Sequence, residues 1–326
     1  MIHMKIGILG TGSIASIMAN TITKMNDANI TCYAVASRTL SKAQTFANQH
    51  HISHAYGSYE DLVKDPNIDL VYIATPHSSH YEDALLCLQY KKAILCEKPF
   101  TVNHKQAQHI FQLANEANIF VAEAIWTRYM PSKAILQDLL ANEIIGNVHS
   151  LQANIGYQLQ SVERMNNPML AGGALLDIGI YPIHFAMMVF GQEASLVSSY
   201  AYIQDGVDLM DSITMQWPDG KMAVLHATMM TNTEKDAYIY GEKGYIKIQN
   251  INNPEVVYIY TQDHQLVNTI QVPQQISGYE YEVIACHKAL SQGQLECKDA
   301  PHALTLHVLQ FMDNIRKQWN LTYPFE

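Results

Sequence analysis

A lysine lies between a glutamate and a proline in Glu97-Lys98-Pro99, directly after an apolar run that ends at Cys96. At the carboxyl end of a strand, with the proline fixing the turn, such an ammonium can serve as a proton relay; by itself it would read as a surface lysine. Farther along, the stretch 171–184 spaces Asp177, Tyr181 and His184 four and seven positions apart. If this stretch is helical, a carboxyl, a phenol and an imidazole share one face. Pro182 complicates that picture, because it removes a backbone donor and either kinks the helix or marks its first turn. The plainer alternative is a glycine-rich packed helix with an ordinary tyrosine.

A second chemistry is written at the start of the chain. Gly10-Thr11-Gly12-Ser13-Ile14-Ala15 fits G-x-G-x-x-G/A, follows an apolar run at 5–9 and opens a helical pattern. In that setting Gly10 permits the tight turn, Gly12 lets the backbone approach a pyrophosphate, and Ala15 allows close helix–strand packing. The helix start at Ser13 and Ile14 then offers unpaired amides and the positive end of a dipole to phosphates. The next strand ends Ala36-Ser37-Arg38-Thr39, with no carboxylate to accept from a ribose 2′-hydroxyl. Arg38 instead suits a 2′-phosphate, with Ser37 and Thr39 donating hydroxyls and Lys42 adding charge, so NADP is expected ahead of NAD. The alternative for Arg38 is a solvated loop residue. The strand at 70–74 runs into Thr75-Pro76-His77-Ser78-Ser79-His80, small polar residues that suit a nicotinamide ribose; His80 reads equally as a helix-start residue.

These residues need elements to hold them. Strand patterns at 5–9, 31–37, 70–74, 93–96 and 119–123 alternate with helical patterns at 13–25, 40–50, 80–89 and 104–118. That alternation indicates a parallel sheet with right-handed crossovers. After Pro131 the pattern changes to longer strands joined by turns, with hairpins expected at 217–221 and 241–244 and helices at 279–290 and 303–319. The expected division is therefore a dinucleotide-binding domain over 1–123 and a second, α/β domain over 124–326. A length of 326 residues suits two domains.

The net charge of −10 gives no general attraction to phosphate backbones, so no nucleic acid is expected as a partner. Charged residues make up only 15% against 48% hydrophobic, which excludes disorder and implies surface that is either neutral or buried against a partner, so an oligomer is expected. No run of about 18 consecutive apolar residues suggests a membrane span. The five cysteines are odd in number and lack CxxC pairs, as expected of reduced thiols in the cytoplasm. His50, His51 and His54 are closely spaced, but without nearby carboxylate or thiolate partners they read as a surface run, and no metal site is expected.

Taken together, Gly10–Ala15, the Glu97-Lys98-Pro99 triplet and the Gly-Gly-Ala-Leu-Leu-Asp-Ile-Gly-Ile-Tyr run resemble the Gfo/Idh/MocA family of oxidoreductases over essentially the whole chain. Residues 123–131 and Tyr181 are similar to the branch that uses NADP on trans-dihydrodiols and D-xylose. Many members have a histidine where Tyr181 stands, so the resemblance implies phenolic acid–base chemistry here; Ala171 replaces a common third glycine. It also implies a Rossmann domain followed by an α/β domain for substrate binding and oligomerisation, with an open, mostly antiparallel sheet that joins a homodimer or higher oligomer. Lys98 and Tyr181 are implied as the catalytic pair, with Asp177 nearby and Glu97 and Lys98 against the cofactor. Trp126, Arg128 and His184 are implied as residues of a pocket for a diol, cyclic polyol or sugar. In that scheme Tyr181 takes the hydroxyl proton with help from the Lys98 charge, and Asp177 either holds Lys98 or binds a substrate hydroxyl. An inositol- or nucleotide-sugar-type dehydrogenase, and a noncatalytic NADP-sensing regulator, are the competing expectations.

Overall fold

The structure, a computed structural model, describes residues 3–326. The chain divides into two units: residues up to Tyr129 with Gln275–Leu306, and Met130–Gln274 with His307–Glu326.

The first unit is built on six strands, β1 (Met4–Leu9), β2 (Ile30–Ala36), β3 (His54–Tyr56), β4 (Leu70–Ile73), β5 (Ala93–Glu97) and β6 (Val121–Ala124). They lie in the order β3-β2-β1-β4-β5-β6, every pair parallel. This is the doubly wound dinucleotide-binding order. Helices α1 (Ser13–Met25), α2 (Leu40–His50), α3 (Tyr59–Lys64), α4 (His80–Gln89) and α5 (His104–Ala117) make the crossovers. All four residues of β4 and all five of β5 are buried, which explains why central strands of a sheet covered on both faces read as continuous apolar runs.

The expected boundary differs from the observed grouping. Residues 275–306, assigned by sequence to the second domain, return to the first unit because β6 is a sheet edge that needs covering. The Val121 amide donates to the Leu295 carbonyl at 3.0 Å, His302 Nε2 meets the Val121 carbonyl at 2.8 Å, and Thr305 Oγ1 donates to Glu123 at 2.7 Å. Residues 124–129 also group with the first unit, where Trp126 stacks on Tyr279 at 4.3 Å.

The second unit opens with helix α6 (Pro131–Ala141) and carries β7 (Val148–Gly156), helix α7 (Ile180–Phe190), and strands β8 (Ser195–Gln204), β9 (Val207–Gln216), β10 (Met222–Thr228), β11 (Ala237–Gly241), β12 (Gly244–Ile248), β13 (Val256–Thr261) and β14 (Leu266–Gln271). The strands form one sheet in the order β14-β13-β12-β11-β7-β10-β9-β8, antiparallel except for β7 with β10. Burial alternates along β12, so one face packs on a core and the other does not. The outward face bears Tyr200 and Val224, 73% and 47% exposed, and the tyrosines of β11, β12 and β13. The helices expected at 279–290 and 303–319 are α8 (Glu280–Ser291) and α9 (His302–Gln318).

The helical stretch Pro168–Phe190 is long and apolar enough, by composition, to cross a membrane. However, 83% of its most apolar window is buried inside the protein, so its apolarity fills a core.

Candidate active site

In the first unit the candidate residues gather at the carboxyl ends of the parallel strands. Gly10 follows β1 with φ +104°, and a Cβ there would stand 2.7 Å from the Ala74 carbonyl oxygen, so both conformation and space demand glycine. Gly12 is a different case. Its φ of −81° suits any residue, and a Cβ built on it would meet nothing within 4 Å. Nothing in the protein requires a glycine at that point, whereas a pyrophosphate lying against the backbone would. The helix behind it, α1, receives no side-chain cap, so its first amides at Ser13 and Ile14 face the same open cradle. The residues present therefore fit a dinucleotide. At the end of β2, Ser37 is buried with its hydroxyl 3.4 Å from Thr11 Oγ1, while Arg38 is exposed and able to turn toward an added phosphate.

After β4, the Thr75 hydroxyl donates to Asp83 at 2.6 Å, and burial raises the Asp83 pKa to about 6. Pro76 is exposed beside it. His80 is fully buried, with Nδ1 2.9 Å from the Pro99 carbonyl and Nε2 2.9 Å from the Thr75 carbonyl. It thus opens helix α4 and ties the end of β4 to the turn after β5.

That turn carries Lys98, half-buried, with a cis bond to Pro99. Its neighbours are fixed from several elements. Glu97 lies inside, where Oε1 accepts from the Tyr72 hydroxyl and Oε2 accepts the Lys98 amide at 3.2 Å. Glu123 accepts the Phe100 amide at 3.1 Å, and Tyr129 Oη donates to the Glu123 carbonyl at 2.8 Å. Glu97 and His80 thus act on the site through the turn. Glu123 is the residue that sequence reasoning treats only as part of a motif; a lone carboxylate within the apolar run Val121, Ala122 and Ala124 is the signal that marks it, and the strand is buried throughout. Trp126 and Arg128 are both buried, and burial lowers the Arg128 pKa to about 10 against the opposing pull of Glu123.

Burial lowers the His80 pKa to about 4, with the nearby His77 and Lys98 acting in the same direction and the two carbonyls against them. Unfolded chain binds this proton near 6.5 and the folded chain only near 4, so stability falls as pH drops through that interval. Urea midpoints measured from pH 7 to pH 4 are expected to fall less steeply in His80→Gln than in the wild type; equal slopes would contradict the assignment.

In the second unit the stretch 171–184 is helical only in part. Ala171 has φ +53° and Gly173 φ +112°, making a turn, after which Leu175–Gly179 form a π-helical turn that leads into α7. Asp177 lies in the π turn, and Tyr181 and His184 lie in α7. The simple four-residue spacing between Asp177 and Tyr181 therefore does not put them one α-turn apart, since a π turn closes i to i+5. Pro182 accounts for this. It cannot donate to the carbonyl four residues back, and widening the preceding turn accommodates the missing bond. Tyr181 and His184 remain neighbours on α7. Asp177 is buried and pairs with Arg164 at 3.1 Å, a partner that no spacing in the sequence announces.

No group of three or more His, Cys, Asp or Glu suited to a metal occurs among the described residues. His50, of the histidine run, bonds Ser16 at 2.9 Å and Asn20 at 3.0 Å through its two ring nitrogens.

Comparison with known proteins extends these observations. A family model described as an oxidoreductase family with an NAD-binding Rossmann fold matches residues 4–124, and a GFO/IDH/MocA C-terminal domain model matches residues 134–247. Trans-1,2-dihydrobenzene-1,2-diol dehydrogenase of Xenopus tropicalis is 34% identical over 98% of this chain and 99% of its own length. The Homo sapiens protein of the same name is 32% identical over 98% of this chain and 97% of its own. Among solved structures, a 3-ketoreductase from Actinomadura kijaniata, in complex with NADP and TDP-benzene, superposes with a TM-score of 0.87 at 23% identity over 96% of this chain and 97% of that one.

Proposed function

We propose that this chain, which belongs to the Gfo/Idh/MocA oxidoreductase family, transfers hydride between NADP and a hydroxyl-bearing carbon of a diol, cyclic polyol or sugar, with Tyr181 as the acid/base and Lys98 assisting. The observation that carries the reading is the turn at Lys98. Its neighbours are held by Tyr72, His80 and Glu123 from three different elements, more fixation than a surface lysine has use for. The names of the full-length relatives, dehydrogenases of a trans-dihydrodiol, support the substrate class.

The chain's own residues divide the work. Gly12 and the amides of Ser13 and Ile14 cradle the pyrophosphate; Ser37 and Arg38 read the 2′-phosphate; Thr75, Pro76 and the turn at Glu97 and Lys98 line the nicotinamide half, with His80 behind them. NADP supplies the hydride acceptor at nicotinamide C4 when bound. Tyr181 Oη takes the substrate hydroxyl proton, and the Lys98 ammonium favours the phenolate that this requires. Asp177, already paired with Arg164, orients a second substrate hydroxyl, and Trp126, Arg128 and His184 shape the pocket.

Absorbance at the reduced-nicotinamide band, followed with trans-dihydrodiols, pentoses and hexoses and with both cofactors, tests the reading. Turnover with NADP on a member of the panel is expected. Cofactor binding without turnover on any of them would favour a sensing protein.

The outer face of the eight-stranded sheet exposes Tyr200, Met222 and Val224 among polar neighbours such as Gln152 and Thr214, and exposed apolar and aromatic side chains on one sheet face support a homodimer or higher oligomer. Val224, near the centre of that face on β10, is the place to test it. Val224→Glu is expected to sediment as a monomer with its melting temperature little changed, whereas an unchanged sedimentation coefficient contradicts this face as the interface. The five free cysteines support a reducing, cytoplasmic setting.

A further inference from the structure

The helix bearing Asp177 and Tyr181 starts from the turn at Gly172 and Gly173, and that turn is gripped from β9. Asp208 is fully buried, and its Oδ2 accepts the Leu175 amide at 2.6 Å. The Ala174 amide also favours its charged form, while burial opposes it and raises the pKa to about 7. Asp208 Oδ1 makes no hydrogen bond and occupies the space beside Gly173, where a Cβ would stand 2.2 Å from it. Three residues along the strand, Asp211 is also buried, with neither carboxyl oxygen hydrogen-bonded. Its Oδ2 lies 3.3 Å from where a Cβ of Gly179 would be, against the far end of the π turn. Burial and the neighbouring Asp208 raise the Asp211 pKa, against the Ala227 backbone. From the other side, Tyr323 Oη donates to the Gly172 carbonyl at 3.0 Å, and the Arg316 guanidinium lies 5.0 Å over the Tyr323 ring.

A helix start leaves amides without intrahelical partners, and the residue that would ordinarily cap this one is a glycine with no side chain. A carboxylate from another strand supplies the missing acceptor and complements the helix dipole. The π turn makes the start matter more than usual. Wide turns are scarce, and a one-residue change of register rotates every later side chain by about 100° about the axis.

We propose that Asp208 is a positioning residue for the acid–base step: it caps the helix from β9 and, with Asp211 wedged behind Gly179, holds the π turn in the register that delivers Asp177 and Tyr181. The catalytic part of this rests on the role given to Tyr181 above; the capping part does not.

Hydrogen exchange read by mass spectrometry over residues 172–190, together with steady-state kinetics, tests it. In Asp208→Ala, amides 174–180 are expected to exchange about 10–100-fold faster, as loss of a hydrogen bond to a charged group implies. kcat should fall by a similar factor with KM for NADP unchanged. Asp208→Asn keeps an acceptor oxygen without the charge and should show a smaller effect in both readouts. If the alanine variant fails to fold, the asparagine variant decides: locally faster exchange with a KM-neutral fall in kcat supports the proposal. Wild-type exchange at 174–180, or faster exchange with an unchanged kcat, overturns it. A Tyr181→Phe enzyme of normal activity would remove the catalytic reading while leaving the exchange result standing, so the two failures are distinguishable.

Discussion

Tyr181→Phe is expected to lower kcat by about 10²–10⁴-fold, the range that general acid–base assistance ordinarily contributes. KM for NADP should stay within about twofold of wild type, because an interaction made only in the transition state lowers kcat without weakening cofactor binding. The substitution is well suited to the purpose. Tyr181 is 6% exposed on α7, and phenylalanine keeps the ring that packs there while removing only the oxygen. Steady-state kinetics beside a melting curve separates chemistry from folding. A variant with normal melting and near-wild-type kcat would take Tyr181 out of the reaction.

Arg38→Ala is expected to raise KM for NADP by roughly 10–100-fold while leaving KM for NAD nearly as it was. A hydrogen bond between charged partners contributes about 1.5–3 kcal/mol, and only NADP carries the 2′-phosphate that Arg38 would meet. The residue is exposed at the end of β2, and Ser37 and Thr39 on either side offer hydroxyls but no charge. Titrating both cofactors against wild type and variant gives the preference directly. A ratio that does not move would mean that the 2′-phosphate is read elsewhere.

The first unit was largely legible because its signals are local. The α2 and α4 patterns match the helices at Leu40–His50 and His80–Gln89, each bounded by residues that leave helical geometry or begin it. The three-residue β3 leaves no mark in the sequence, since an edge strand so short is defined by its pairing with β2 rather than by any alternation of its own. Helix α3 did carry a signal: Ser58 Oγ accepts the Asp61 amide at 3.1 Å, and Glu60 and Asp61 fill the first turn. The return of residues 275–306 to the first unit was hidden because it rests on contacts such as Val121 with Leu295, far apart in sequence.

The second unit's site shows where periodicity stops being informative. Spacing arguments assume 3.6 residues per turn, and Pro182 and Gly179 were the only hints that the turn before α7 is wider. The partners Arg164 of Asp177 and Asp208 of Leu175 come from other elements, so no local pattern could have named them.

In the proposed reaction the Lys98 ammonium makes the Tyr181 phenol acidic enough to act near neutrality. The most direct measurement is the pH dependence of kcat in wild type and in Lys98→Met. A free phenol titrates at about 10, and a neighbouring cation lowers that by roughly 1–3 units. The wild-type profile should therefore rise with an apparent pKa of about 7–9, and in Lys98→Met that limb should move up toward about 10 as the maximal rate falls. A limb that stays in place when the lysine is removed would contradict the pairing.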